Sequence, residues 1–342
     1  MHRRIFVIAD FNDESPKSIH MQPRMWLKGL TRLGHDVQRF SYRNIMLQSS
    51  PFPSKRMARY FSKKRADAIL IEQIKLYYPD IVFVLSMKYL DAETLCSVRD
   101  AAPGAIVIGR DDDPFPDKNP ARLAIARETD MVITTSAGKF LQTYKDAEVP
   151  CCALIPNMCD PDIQYKYDVE EKWKTDILFT GKAEHTRLAR NNERYEIVQK
   201  LVAMPNVRLY GCFRRPLVEG MDLFYAISGA KIGLSINIAN DVHLYHSDRL
   251  TNYLSCGTFV LAKRIPDSDL LFEDRVHLKY FDTVDEFFEL ADWYLKHEQE
   301  REKIARAGME RAHSEFNCER IAQLMLDLIE KGTYQAPWAE IL

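Results

Sequence analysis

The stretch His243–Arg264, HLYHSDRLTNYLSCGTFVLAKR, opens on a cluster of polar residues and runs into a short helix-forming segment over Arg249–Ser255. It stops at Gly257 and continues at once into an apolar strand over Thr258–Ala262. A helix closed by glycine and returned directly into a buried strand is the turn of an α/β sheet. Polar side chains just ahead of such a helix lie beside its positive N-terminal end, where anions are favoured. Phosphates of a ligand are expected there. Arg249 is the leading candidate, because an arginine inside an apolar helical run needs an anionic partner and a phosphate fits its fork bidentately. A salt bridge to Asp248, Asp241 or another carboxylate is the alternative.

Outward from this turn, both halves of the chain alternate strand and helix. Ile5–Ala9, Val37–Phe40, Asp80–Leu85, Ala105–Gly109, Met131–Thr134 and Cys152–Ile155 read as apolar strands. Met21–Leu33 and Arg56–Tyr77 have helical spacing between them. Residues 162–174 are charged and aperiodic, as a linker would be. The cycle then restarts with strands at Asp176–Phe179, Val207–Tyr210, Ile232–Ser235 and around His277–Phe281. Helices are predicted at Glu193–Met204, Val284–His297, Gln299–His313 and Ile321–Ile329. Strands this apolar, separated by helices, predict parallel sheets covered on both faces.

A length of 342 residues allows two domains of ordinary size, and 46% hydrophobic residues can supply their cores. A net charge of −2 gives no whole-molecule attraction to nucleic acid, and no nucleic-acid motif is present. The seven cysteines are scattered without a C-x-x-C pair, which argues against a zinc knuckle or a disulfide framework. No stretch reaches the roughly 20 apolar residues of a membrane span, and the N-terminus lacks the apolar run of a secretory signal. A cytoplasmic protein is expected.

Ser247, Arg249, Cys256, Gly257 and the strand Phe259–Ala262 together resemble the donor-binding segment of GT-B glycosyltransferases, particularly the spore-maturation CgeB-like branch of the family-1/family-4 type. The resemblance spans nearly the whole chain but is distinctive only over about residues 176–316. One position departs from the pattern: Asn252 stands where the family has a glutamate that holds the ribose hydroxyls of the donor nucleotide. An amide can hydrogen-bond a hydroxyl but brings no charge.

The resemblance implies an α/β fold of two Rossmann-like, doubly wound domains facing a cleft. An acceptor-binding domain would cover residues 1–160 and a nucleotide-sugar-binding domain residues 161–318. Residues 319–342 would form a last helix and tail crossing back to the first domain. In the second domain, Gly181 and Lys182 end a strand as a glycine loop beside the donor diphosphate, with Arg187 close behind; an ordinary strand–helix turn is the plainer reading. Ser247 and Arg249 would hold the same phosphates, His246 would line the sugar pocket, and Asn252 would face the ribose. Asn237 follows a strand and would contact donor, or simply form a turn.

In the first domain, Arg110-Asp111-Asp112-Asp113-Pro114 follows an apolar strand directly. Three adjacent carboxylates repel one another, which raises the proton affinity of at least one. Asp112 or Asp113 could then act as the general base on the acceptor hydroxyl, or an aspartate could cap the next helix. His20 is a third candidate base by position. Asp10, Asn12 and Arg110 would contact acceptor. No metal and no resident cofactor are implied, the nucleotide sugar being a substrate. Ser54–Arg65 packs six basic residues with Met57, Tyr60 and Phe61. It reads either as a solvated helix face or as a peripheral contact with the inner membrane face.

The function so implied is transfer of a sugar from a nucleotide-diphosphate sugar to an acceptor hydroxyl, without metal, in surface-glycan or related glycoconjugate synthesis. The acceptor would be a saccharide, a lipid-linked saccharide or a small molecule. Two alternatives stand beside it: a sugar-nucleotide epimerase of the same fold, and a non-catalytic nucleotide- or glycan-binding module.

Overall fold

The computed structural model describes residues 2–11, 21–52, 54–85, 87, 90–112, 119–183 and 193–342. The chain divides into two compact units, residues 1–156 with 321–342 and residues 157–320. Each is built on one parallel sheet.

In the first unit the strands are β1 (Arg4–Ala9), β2 (Asp36–Ser41), β3 (Ile81–Val84), β4 (Ile106–Asp111), β5 (Met131–Thr134) and β6 (Cys151–Leu154). They lie in the order β2-β1-β3-β4-β5-β6, and the chain reverses its direction of winding between β1 and β3. All pairs are parallel, with Ile5 of β1 opposite Val37 on one side and Ile81 on the other. Helices α1 (Met21–Arg32), α2 (Tyr42–Gln48), α3 (Lys55–Tyr77), α4 (Ala92–Ala101), α5 (Pro120–Arg127) and α6 (Lys139–Asp146) fill the crossovers. Strand alternation sends Val82 and Val84 into the core cluster that holds Leu70 and Ile74 of α3. Phe83, between them, takes the edge of Trp26 from α1, with ring centroids 4.9 Å apart. Both faces of β3 are therefore covered. β4 runs two residues past the predicted end at Gly109, making Arg110 and Asp111 strand residues. At the other edge, residues 340–342 pair antiparallel with β6 through Leu342 N–H to the Cys152 carbonyl at 2.8 Å.

The second unit carries β7 (Thr175–Thr180), α7 (Glu193–Leu201), β8 (Val207–Tyr210), α8 (Met221–Ser228), β9 (Ala230–Ser235), α9 (Asp248–Ser255), β10 (Phe259–Lys263) and β11 (Lys279–Phe281), followed by α10 (Val284–Lys296) and α11 (Glu298–Glu315). A last helix, α12 (Cys318–Lys331), begins here and runs into the first unit. The strand order is β11-β10-β9-β7-β8, with the reversal between β7 and β9. In such sheets ligands bind beyond the strand C-termini at the point of reversal. Gly257, at φ +66°, closes α9. Its N–H reaches the Leu254 carbonyl at 2.9 Å and the Thr258 N–H reaches Tyr253 at 3.1 Å, the paired bonds of a Schellman motif.

Residues 162–174 are not the free linker their composition suggests. Gln164 is completely buried; its Oε1 accepts from the Asp160 N–H and its Nε2 donates to Asn252 Oδ1, both at 2.6 Å. Lys166 donates to the Ser228 carbonyl at 2.6 Å. A polar segment can be sequestered when its groups bond to one another and to the domain beneath.

Candidate anion site at the sheet reversal

β7 and β9 end side by side, and Arg249 of α9 ties their ends together. Its Nε donates to the Thr180 carbonyl at 2.6 Å and its Nη1 to the Ile236 carbonyl at 2.9 Å. The guanidinium carbon stands 4.8 Å from the centre of the Phe179 ring, and the residue is 8% exposed. One helical turn on, the Tyr253 hydroxyl accepts the Thr180 N–H at 2.8 Å. Its ring lies so close to β9 that a Cβ on Gly233 would fall 2.5 Å from it. These contacts fasten α9 to both strands and hold Arg249 at the reversal. The salt bridges considered for Arg249 from sequence, to Asp248 or Asp241, do not form: carbonyl oxygens hold it, and among the described residues no carboxylate pairs with it.

A second arginine joins it. Arg194, on the first turn of α7, is 9% exposed, donates through Nη2 to the Lys182 carbonyl, and stands 5.5 Å from the same Phe179 ring. Its Nε is buried without a hydrogen-bond partner. Burial first, and the Arg249 charge second, pull its pKa down to about 9. Neither arginine has an ion-pair partner among the described residues. Gly181 lies between them: a Cβ there would fall 2.6 Å from Arg249 Nη2 and 3.5 Å from Arg194 Nη2, and φ is +131°. Two buried guanidiniums converging on a bare backbone, with no carboxylate paired to them among the described residues, have the chemistry to hold an anion with more than one charge.

Arg194 was missed from sequence, where Arg187 was favoured for this role; Arg187 lies outside the described residues. The signal was present. Arg194, Ile197, Val198 and Leu201 are the buried face of α7, so a charged residue occupies a core position of an amphipathic helix.

The other candidates of the second unit divide. Ser247 is the N-cap of α9, yet its Oγ caps nothing and is buried without a partner among the described residues. Asn237 uses both ends of its amide on the loop, accepting the Ser247 N–H and donating to the Tyr245 carbonyl, each at 3.0 Å. It thereby shapes the approach to α9. His246 is buried, its carbonyl taken by Asn157 Nδ2 at 2.8 Å and its ring set edge-on against Phe272. Lys182 is exposed and lends its carbonyl to Arg194. Because Gln164 Oε1 is occupied by an N–H, its Nε2 must face Asn252 Oδ1, so the Asn252 end left over is Nδ2, a donor where a glutamate would accept.

A separate opening of about 660 Å³ lies at the other end of the same sheet, beside Thr175, Ala230 and Phe259. There Lys231 pairs with Asp176, Lys174 with Glu171 and Arg301 with Glu298, while Lys166 is spent on the Ser228 carbonyl.

In the first unit, Asp10 follows β1 and forms an ion pair with Arg43 at 2.6 Å. The crowding of carboxylates expected after β4 does not arise between Asp111 and Asp112, because consecutive residues of an extended chain point oppositely. Asp111 is buried, accepting from Arg122 Nη1 at 2.9 Å and from the Tyr144 hydroxyl. Asp112 is exposed and stands 2.7 Å from Arg110 Nε. Arg110 is buried, its guanidinium 5.1 Å from the Trp26 ring centre. Asn12, His20 and Asp113 lie outside the described residues. Among the described residues no group of three or more His, Cys, Asp or Glu side chains is placed to hold a metal. No helix among them is long and apolar enough to cross a membrane.

Residues 185–327 match the family model described as glycosyl transferase-like. No curated protein matches the chain. Among solved structures, sucrose-phosphate synthase from Thermosynechococcus elongatus aligns at 14% identity and TM-score 0.66, covering 96% of this chain and 99% of that one. HepE of Anabaena, solved with UDP and glucose, aligns at 11% identity and TM-score 0.60, covering 96% and 100%. A Listeria monocytogenes protein assigned as a UDP-N-acetylglucosamine 2-epimerase aligns at 13% and TM-score 0.55, covering 97% of each. Residues 185–327 are therefore similar to the glycosyl transferase-like family, and the two units have the fold of the GT-B glycosyltransferases.

Proposed function

We propose that this protein transfers a sugar from a nucleoside-diphosphate sugar to an acceptor hydroxyl, and that Arg194, Arg249, Gly181 and Ser247 hold the donor diphosphate. The observation that carries the reading is the pair of buried guanidiniums at the reversal point of the second sheet, without an ion-pair partner among the described residues. As the glycosidic bond breaks, negative charge grows on the leaving diphosphate. Two preorganised cations in a water-poor setting favour that charge without a metal. Lys182 joins them at the rim, with Arg187 a further candidate from sequence; His246 and Asn237 shape the sugar pocket, and Asn252 faces the ribose. UDP is the first donor base to try, since HepE was solved with UDP and glucose.

In the first unit Asp112 is the base that takes the acceptor proton, with Asp113 and His20 as further candidates from sequence. Asp10, Asn12 and Arg110 position the acceptor. No resident cofactor is required. A saccharide, a lipid-linked saccharide or a small molecule could be the acceptor; a surface glycan and the CgeB-like branch belong to this reading on motif grounds. The run 54–65 adds a peripheral contact with a membrane.

The test is thermal stabilisation by UDP, GDP, dTDP, ADP and CMP, followed by product analysis with the matching nucleotide sugar. One diphosphate should stabilise the protein, and Arg249→Lys should weaken the shift. Absence of any shift from a folded sample would sink the reading. Conversion of the donor alone to an isomer would replace it with the epimerase, whose fold the Listeria protein shares.

A further inference from the structure

From Val37 to Ala66 the chain contains eight lysines and arginines and no aspartate or glutamate, in a protein of net charge −2. The structure shows where this charge goes. The inward face of α3 is the four-residue repeat Ala58, Ser62, Ala66, Leu70 and Ile74, all buried. Its first half therefore packs by a narrow stripe of small residues and turns the rest of its circumference outward. Lys63 pins it in place through Asp67 at 2.6 Å and Asp91 at 3.1 Å, and the Tyr42 hydroxyl also bonds Asp67.

Arg56, Arg59, Lys64 and Arg65 are exposed, and none has an ion-pair partner among the described residues. Between them stand Tyr60, 82% exposed, and Phe61, 53% exposed, with ring centroids 4.9 Å apart. Phe52, 41% exposed, extends the group at 5.1 Å from Phe61, and Met57 is exposed on the same side. A solvated helix face would carry the cations without the aromatic rings. Exposed rings bracketed by cations are suited to a surface with an anionic outer layer and an apolar layer beneath.

We propose that the outward face of α3, residues 56–65 with Phe52, docks the protein on an anionic lipid bilayer. The four free cations meet the headgroups, while Tyr60, Phe61 and Phe52 enter the headgroup–acyl boundary. The ring cluster favours a bilayer over duplex nucleic acid, whose surface would engage the cations and leave Phe52 and Phe61 without an apolar phase to enter; single strands, whose bases stack on such rings, are separated by the experiment below. This deepens the membrane contact in the sugar-transfer reading. Lipid binding is measured without donor or acceptor, so the two readings fail separately.

The experiment is co-sedimentation of the full chain with phosphatidylcholine vesicles with or without about 30% phosphatidylglycerol, at low and high salt. Binding to the anionic vesicles should exceed that to the neutral ones at least tenfold and fall with salt. Arg56→Glu/Arg59→Glu/Lys64→Glu should remove it. Tyr60→Ser/Phe61→Ser, which keeps every charge, should weaken it several-fold while leaving thermal stability and nucleotide binding unchanged. Vesicle binding absent, or equal for neutral and anionic vesicles, overturns the proposal. So does binding that the aromatic pair does not affect, or tighter capture by single-stranded DNA than by the vesicles.

Discussion

Arg194 and Arg249 approach one ring, Phe179, their guanidinium carbons 5.5 and 4.8 Å from its centroid, with Gly181 between their inner Nη2 atoms. Two like charges are held in a buried setting by carbonyl oxygens and a π face, which favour cations but cancel none of their charge. Among the described residues no carboxylate offsets the cost of burying them, and a bound anion would.

That cost is measurable. Arg194→Met removes a buried cation whose neighbour repels it, so the ligand-free protein should melt a few degrees higher, corresponding to about 1–4 kcal/mol. Affinity for a nucleoside diphosphate should fall at least tenfold. Differential scanning calorimetry with and without UDP reads both. A lower melting temperature would mean that the charge is compensated.

The pH dependence follows from the same residue. With its pKa lowered to about 9, Arg194 is charged at neutral pH and loses its proton as pH climbs through that value. The penalty on ligand-free stability is therefore present below about pH 9 and relieved above it. Diphosphate binding, which needs the charge, should weaken by roughly tenfold per pH unit above pH 9 until the pKa of the complex is reached. Titrations between pH 7 and 10 would show the slope in the wild type and a flat profile in Arg194→Met.

Gly181→Ala adds a Cβ 2.6 Å from Arg249 Nη2 at a φ of +131°. Backbone strain and displacement of the guanidinium should together lower stability by about 1–3 kcal/mol. Diphosphate affinity should fall more than tenfold. A melt and a calorimetric titration suffice, and unchanged affinity would remove Gly181 from the site.

Tyr253→Phe leaves the Thr180 N–H without its acceptor inside the protein. Stability should drop by about 1–3 kcal/mol, the usual cost of a buried donor left unsatisfied. Because α9 is then less firmly fastened to β7, diphosphate binding should weaken alongside; chemical denaturation and titration would be read together.

Asp112→Asn tests the base. Transfer should slow by at least about a hundredfold with donor stabilisation unchanged, since the residue belongs to the other unit. Equal turnover in the variant would move the role to Asp113 or His20.

Most of the architecture was legible along the chain. The αβ turn at Gly257, the apolar strands and the second cycle from Asp176 all depend on local rules of periodicity and turn chemistry, which need no tertiary information. The short helices α2, α4, α5, α6 and α8 were not read out, being too brief to establish a period. The aperiodic segment 162–174 looked like a linker because composition does not reveal that Gln164 has partners on two sides.

For the site, the sequence alone was enough to place Arg249 in the first turn of a glycine-closed helix, in need of an anion or a carboxylate. The folded chain removed the carboxylates named from sequence, bringing the carbonyls of Thr180 and Ile236 and the ring of Phe179 to the guanidinium in place of Asp241 or Asp248. It also supplied Arg194, which is separated from Arg249 by two strands and a helix along the chain. In the same way it parted Asp111 from Asp112, whose adjacency in sequence implied mutual repulsion. Charge compensation is a property of distance in space, and distance between residues far apart in sequence is set by which strands lie side by side.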